Sequence, residues 1–243
     1  MARPVPTPAP VLRVRGLVKV HGSGRGARRV LDGVDLDVRA GELVAIVGRS
    51  GSGKSTLLHL LGGLDEADGG TVEVEGRPVT GASERELSAL RRDRIGFVFQ
   101  FFHLVPELDG EANVMLPATL PGADPRAAAR ARALVARLGL ADVAGLRPHQ
   151  LSGGEQQRFA LARALVADPA LILADEPIGN LDAVAGEHVL DLLRGAADHG
   201  RAVVMVTHQA EATARADRVL RLEDGRLREE GPRAAGLPVH AAG

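Results

Sequence analysis

The run Gly48-Arg49-Ser50-Gly51-Ser52-Gly53-Lys54-Ser55-Thr56 carries the densest chemical information in the chain. Gly48, Gly51 and Gly53 let the backbone curl so that successive N–H groups converge on an anion. Lys54 adds a compact, mobile cation for β- and γ-phosphates, and the Ser55 hydroxyl is placed to complete a Mg²⁺ shell. Of the 30 Lys and Arg residues only Lys19 and Lys54 are lysine, so a chain that otherwise uses arginine keeps a point charge here. Two other groups suit the same chemistry. Asp175 and Glu176 stand where an apolar run ends, Asp175 to hold Mg²⁺, usually through water, and Glu176 to polarise a water that attacks a γ-phosphate. A simpler alternative has the two carboxylates cap the next turn. Ser152-Gly153-Gly154-Glu155 has capping-box spacing, and the two glycines behind the cap would let a phosphate approach the helix N–H groups.

These residues need particular elements behind them. The apolar run 43–47 reads as a strand feeding the glycine-rich turn, and 57–61 opens a helix whose positive end adds to the anion site. Runs 171–174 and 203–206 are continuously apolar, as parallel strands covered on both faces should be, with a helix over about 183–193 between them. Alternation at 11–15, 30–38 and 71–75 predicts antiparallel strands with one wet face, joined by a loop at 21–26. Ser83 and Glu86 repeat the capping-box spacing and start a helix through Arg92, and 95–99 is a strand ending at Gln100. From about 101 to 167 the pattern turns helical. Pro125 and Gly139 punctuate one helix there, and a second runs over about 153–166. A hairpin through Asp224-Gly225 closes the pattern. The expected fold class is α/β, with one domain over 11–230 between a proline-rich tail at 1–10 and a second tail at 231–243.

Composition sets limits on partners. A chain of 243 residues can bury a substantial core, and a net charge of −1 gives no global field to recruit nucleic acid or an anionic membrane. The absence of cysteine excludes disulfides and cysteine-ligated metals, which makes the cytoplasm the expected compartment. No apolar run near the start resembles a secretion signal, and the most apolar runs are of strand length. Any membrane connection is therefore expected to come through another subunit.

Leu151-Ser152-Gly153-Gly154-Glu155-Gln156-Gln157-Arg158 resembles the signature motif of the ATP-binding-cassette (ABC) ATPases. The resemblance covers nearly all of 11–230, with the family's motifs in order: 48–56, Gln100, 151–155, Asp175-Glu176, Asn180-Leu181-Asp182 and His208. It implies a P-loop NTPase fold with a RecA-like core, an antiparallel β subdomain and an α-helical signature subdomain over about 101–167. It also implies that Ser152, Gly153, Gly154 and Glu155 face the γ-phosphate of ATP held by a second copy's P-loop, in a head-to-tail dimer. By the same resemblance His208 touches the γ-phosphate, Gln100 senses Mg²⁺ and the attacking water, and Asp182 lies in the loop that communicates between sites. A helix N-cap is the simpler role for Asp182. The aromatic that usually stacks on adenine is replaced by His21, whose planar ring can also stack. Ile178 replaces the usual Thr, and Gln209 the usual Asp.

Within the family, 97–106, Asn113-Val114 with Leu116-Pro117, and 175–182 resemble the lipoprotein-releasing and macrolide-export branch, near the cell-division ATPase. Four of the five Phe stand at 97, 99, 101 and 102, in a chain without Tyr or Trp. Phe97 and Phe99 alternate within a strand and read as core. Phe101, Phe102 and Leu104 enter a loop, which suggests a docking surface, and there the resemblance places a membrane permease's coupling helix. The resulting expectation is an ATP- and Mg²⁺-dependent ATPase subunit, peripheral to the inner face of the membrane, that drives a separate permease. A cell-division regulator remains the near alternative. A soluble ABC protein acting on DNA or ribosomes would bring coiled coils, zinc-binding insertions or a second cassette, and a P-loop kinase an acceptor site and lid in place of 151–155.

Overall fold

The computed structural model describes residues 9–22 and 24–230, so the tails expected at 1–10 and 231–243 lie, apart from Ala9 and Pro10, outside the described residues. In chain order the elements are β1 (Leu12–His21), β2 (Arg28–Val38), β3 (Leu43–Val47), α1 (Lys54–Leu61), β4 (Gly69–Val74), β5 (Arg77–Pro78), α2 (Glu84–Arg94) and β6 (Ile95–Val98). There follow α3 (Gly110–Thr119), α4 (Ala127–Arg137), α5 (Gly153–Leu165), β7 (Leu171–Asp175), α6 (Ala183–Asp198), β8 (Ala202–Val206), α7 (Ala210–Thr213), β9 (Arg218–Glu223) and β10 (Arg226–Glu230). Four strands pair antiparallel in the order β2-β1-β4-β5. Six form a second sheet in the order β10-β9-β3-β8-β7-β6, parallel except for the β9–β10 hairpin at its edge.

The continuously apolar strands are buried on both faces because each face has its own core. Leu43, Ala45, Ile172, Ala174, Val203 and Met205 pack with α3 to α6. Their alternating neighbours Val44, Ile46, Leu171, Leu173, Val204 and Val206 pack with α1 and the antiparallel sheet. The period of two along each strand thus divides its side chains between two layers.

The helical stretch holds one element that periodicity does not single out. Pro117 stands inside α3, near its C-terminus, and obscures the pattern. Asp109 caps this helix by accepting from Ala112 N at 2.8 Å. Asn113, fully buried, then ties the preceding loop to the helix. Its Oδ1 accepts from Val105 N at 2.7 Å, and its Nδ2 donates to the carbonyls of Val105, Leu108 and Asp109 at 3.1, 3.2 and 3.0 Å. Asn113→Ala strands several buried polar groups together and should lower stability by about 2–4 kcal/mol in urea denaturation. A loss under about 1 kcal/mol would show that the 105–109 loop holds itself.

Candidate nucleotide-binding site

Val98, Ala174, Met205 and Ala45 are successive register partners across β6, β7, β8 and β3. These strands are parallel, so the residues just beyond them emerge on one edge of the sheet. Gln100 follows β6, Glu176 follows β7, His208 follows β8 and Gly48 follows β3. Ligands in open α/β sheets sit at such carboxyl ends.

After β3 the chain makes the turn that its glycines allow. Gly51 and Gly53 have φ of 72° and 100°, in the left-handed region. A Cβ at Gly48 would lie 2.7 Å from the Leu222 carbonyl, and one at Gly53 would strike Val30, so both positions exclude larger residues. Gly53 caps α1 without any side-chain hydrogen bond. The N–H groups of Gly51, Gly53, Lys54, Ser55 and Thr56 donate to no protein atom among the described residues. Lys54 Nζ bends back over this ring of donors, reaching the Gly48 and Arg49 carbonyls at 3.0 and 3.4 Å. A loop of converging N–H groups, a helix N-terminus and an ammonium together form an anion cradle. The exposed His21 ring closes one side, its Nε2 3.3 Å from Thr56 Oγ1.

Opposite the cradle, Ser55 Oγ donates to Asp175 Oδ1 at 3.1 Å. Burial pushes the Asp175 carboxyl above the ordinary carboxylate range and the Glu176 charge adds to this, while the Ser55 hydrogen bond, His59 and Lys54 oppose it. Ser55 and Asp175 supply the oxygen donors that a hard divalent cation takes. Glu176 is held in a left-handed backbone conformation, φ 44°, which costs a non-glycine residue about 1–3 kcal/mol. Its side chain is only 14% exposed; Oε1 meets His208 Nδ1 at 2.8 Å and Oε2 is buried without a partner. A strained, desolvated carboxylate beside an imidazole is suited to general-base work.

The residues expected at 151–155 lie elsewhere, at the start of α5, and no hydrogen bond or ion pair joins them to 48–56 among the described residues. Ser152 and Glu155 form the capping box: Ser152 Oγ accepts from Glu155 N at 3.3 Å and donates to Glu155 Oε2 at 2.8 Å. The two glycines differ in role. A Cβ at Gly154 would come within 2.8 Å of Ala185, so close packing against α6 demands that glycine, whereas one at Gly153 would meet nothing nearer than 3.5 Å. Gly153 sits beside Asn180, Leu181 and the Phe102 ring. Asp182 caps α6 by accepting from Ala185 N at 2.9 Å, its simpler role. The link between the two groups of residues is Asn180, whose Nδ2 donates to the Gln100 carbonyl at 3.0 Å.

The phenylalanines depart in part from expectation. Phe97 is half-buried and packs against the core on the α1 side, as expected. Half-buried Phe99 stacks on it with ring centroids 5.6 Å apart, and together they form one wall of a groove between α2, β6, α3 and α5. Phe97 lies in β6, the edge strand of its sheet, and Phe99 just beyond it, so no further strand pairs alongside them. Phe101 is 70% exposed, Phe102 rests on Gly153 and Leu104 packs against the helical core. The mostly buried Arg163 holds this loop, donating to the Phe102 and His103 carbonyls at 3.1 and 2.6 Å. Two functional-looking side chains escape sequence reading, Asn180 as a partner of Gln100 and Gln157 as a buried amide. Gln157 falls three and four residues before the buried Ala160 and Leu161, a polar residue on an apolar face, and that spacing was the available signal.

A family model described as ABC transporter matches residues 31–179. The chain is 48% identical over 225 residues to the lipoprotein-releasing system ATP-binding protein LolD of Gluconobacter oxydans, covering 92% of this chain and 97% of that protein. It is 49% identical over 235 residues to the macrolide export ATP-binding/permease protein MacB 1/2 of Paracoccus denitrificans, covering 96% of this chain but only 35% of that longer protein. Among solved structures, the dimeric post-hydrolysis state of the ATP-binding cassette MJ0796 bound to ADP and Pi superposes with a TM-score of 0.82 at 37% identity. That match covers 92% of this chain and 99% of the other.

The raised Asp175 pKa fixes the sign of a pH effect. A carboxyl whose folded pKa lies above its unfolded value loses stability as pH rises through the interval between the two. Asp175→Asn should therefore melt above wild type at pH 7 without nucleotide, and the difference should vanish as pH falls below the ordinary carboxylate range. Differential scanning calorimetry from about pH 2.5 to 8 reads this out; equal melting at every pH would refute it.

Proposed function

The chain belongs to the ABC transporter family of ATPases, and from that premise we propose that it binds and hydrolyses ATP to power a separate membrane permease of the lipoprotein-release or macrolide-export type. The observation that carries the reading is the single row of strand ends that sets the Lys54 cradle beside the Glu176–His208 pair. The N–H groups of Gly51 and 53–56, with the Lys54 ammonium, receive the β- and γ-phosphates, and His21 takes the adenine ring. Ser55 and Asp175 would hold Mg²⁺, and Gln100 would sense it and the attacking water. When bound, Mg²⁺ neutralises charge building on the phosphate oxygens. Glu176 accepts a proton from the water as its oxygen attacks the γ-phosphorus in line, the bond to the ADP oxygen breaks, and His208 keeps the carboxylate aimed.

One copy then supplies half of each site. Ser152, Gly153, Gly154 and Glu155 of a second copy cover the γ-phosphate, and Asp182 carries the state of one site to the other. The room around Gly153 supports this: nothing inside the chain requires glycine there, whereas close approach of a phosphate to a helix N-terminus does. The permease docks along the groove walled by Phe97 and Phe99, of cavity volume about 620 Å³, next to Phe101, Phe102 and Leu104. No helix among the described residues is long and apolar enough to cross a membrane. Attachment at the cytoplasmic face of the membrane is accordingly through the permease.

Glu176→Gln should bind ATP, lose about 100-fold or more in turnover and elute as a dimer when ATP is present. Wild-type turnover from a variant that remains monomeric would defeat the assignment. Gly153→Ala separates folding from function. It should melt at or slightly above wild type, by up to about 1 kcal/mol, yet lose at least about tenfold in steady-state phosphate release. Unchanged release would remove the composite site.

A further inference from the structure

Gln157 lies between the segments that carry Gln100 and Glu176 without belonging to either. It projects from α5 and is 0% exposed. Its Nε2 donates to the Phe99 carbonyl at 3.3 Å and to the Pro177 carbonyl at 2.5 Å. Phe99 immediately precedes Gln100, and Pro177 immediately follows Glu176. Both neighbours are acceptors, so the amide must turn its NH₂ toward them. The Pro177 carbonyl receives no other hydrogen bond among the described residues, whereas the Phe99 carbonyl also accepts from Phe102 N at 3.2 Å. Gln157 Oε1 is buried and unpaired, so the cost of burying that oxygen offsets part of what the two hydrogen bonds contribute to stability. What it supplies is spacing: one nitrogen keeps two carbonyls within about 6 Å of each other.

The backbone shows why that spacing needs a holder. Glu176 combines a φ of 44° with a following proline, which independently drives its predecessor toward the extended region. Glu176 therefore tends to relax away from the conformation that aims its carboxylate at His208. Three bonds resist this relaxation: Glu176 N to the Val206 carbonyl at 2.9 Å, Gly179 N to the Glu176 carbonyl at 3.0 Å and, from outside the strand end, Gln157 Nε2 to the Pro177 carbonyl. We propose that Gln157 is a positioning residue for hydrolysis, setting the separation of Gln100 and Glu176 and tying both to the helix that begins at Ser152 and Gly153. The inference deepens the ATPase reading and rests on it.

Gln157→Met keeps length and volume but removes both donors. Full-length wild type, Gln157→Met and the isosteric Gln157→Glu are compared for Mg·ATP turnover, ATP binding and thermal midpoint. The expected result for Gln157→Met is a kcat lower by roughly 10- to 100-fold, with KM for ATP within about twofold and the midpoint within a few degrees. Gln157→Glu, which sets a carboxylate against two carbonyls, should be at least as slow. In a Gln100→Ala background the Gln157→Met loss should shrink, because both changes act on one geometry. Wild-type kcat in Gln157→Met, a loss that only tracks the unfolded fraction, or fully multiplicative losses would each overturn the proposal. If wild type itself released no phosphate, the ATPase reading would fall first and take this inference with it.

Discussion

The parallel pairing of β3, β8 and β7 is the constraint on which the rest of the molecule depends. Its backbone hydrogen bonds set Ile46, Val206 and the end of β7 in one row, so the cradle, the histidine and the carboxylates emerge side by side. A slip of one residue would exchange the faces of every side chain in the strand. Here both faces are buried in separate cores, so either direction of slip would exchange well-fitted side chains on both sides. Packing thereby defends a register that chemistry uses.

Ion pairs reinforce the same row from its opposite end. Asp217 accepts from Leu43 N at 2.8 Å and from Arg194 Nη1 at 2.8 Å, and Arg218 pairs with Glu42 at 2.8 Å. The start of β3 is thus tied to both α6 and β9. At the strand ends the local choices run the other way. Adjacent carboxylates, a left-handed Glu176 and its unpartnered Oε2 all work against stability. A fold that concentrates such conflicts at one edge and keeps the remainder consistent is organised around a charged ligand at that edge.

Relatives of two lengths match this chain, one nearly coextensive with it and one about three times as long. The groove beside β6 and the loop clamped by Arg163 give the chain a face distinct from its phosphate cradle. Phe102 lies against Gly153 at the N-terminus of α5. Phe102 and Arg163 thus attach that loop to α5 at two points along the helix.

Much of this was legible in the residues alone, wherever the cause is local. Glycines at 48, 51 and 53, the capping boxes at Ser83 and Ser152, and the apolar runs of β3, β7 and β8 act over a few neighbouring residues, so type and spacing declare them. Tertiary structure alone decided that Gly154 serves packing against Ala185 while Gly153 stays free, that Phe97 and Phe99 wall a groove, and that Gln157 bridges two site segments. It also revealed α3, whose Pro117 hides the helical pattern while buried Asn113 holds it to the preceding loop. The division has one physical reason. Backbone conformation answers to nearest neighbours, whereas the distance between residues far apart in the chain is set by register and close packing summed over everything between them.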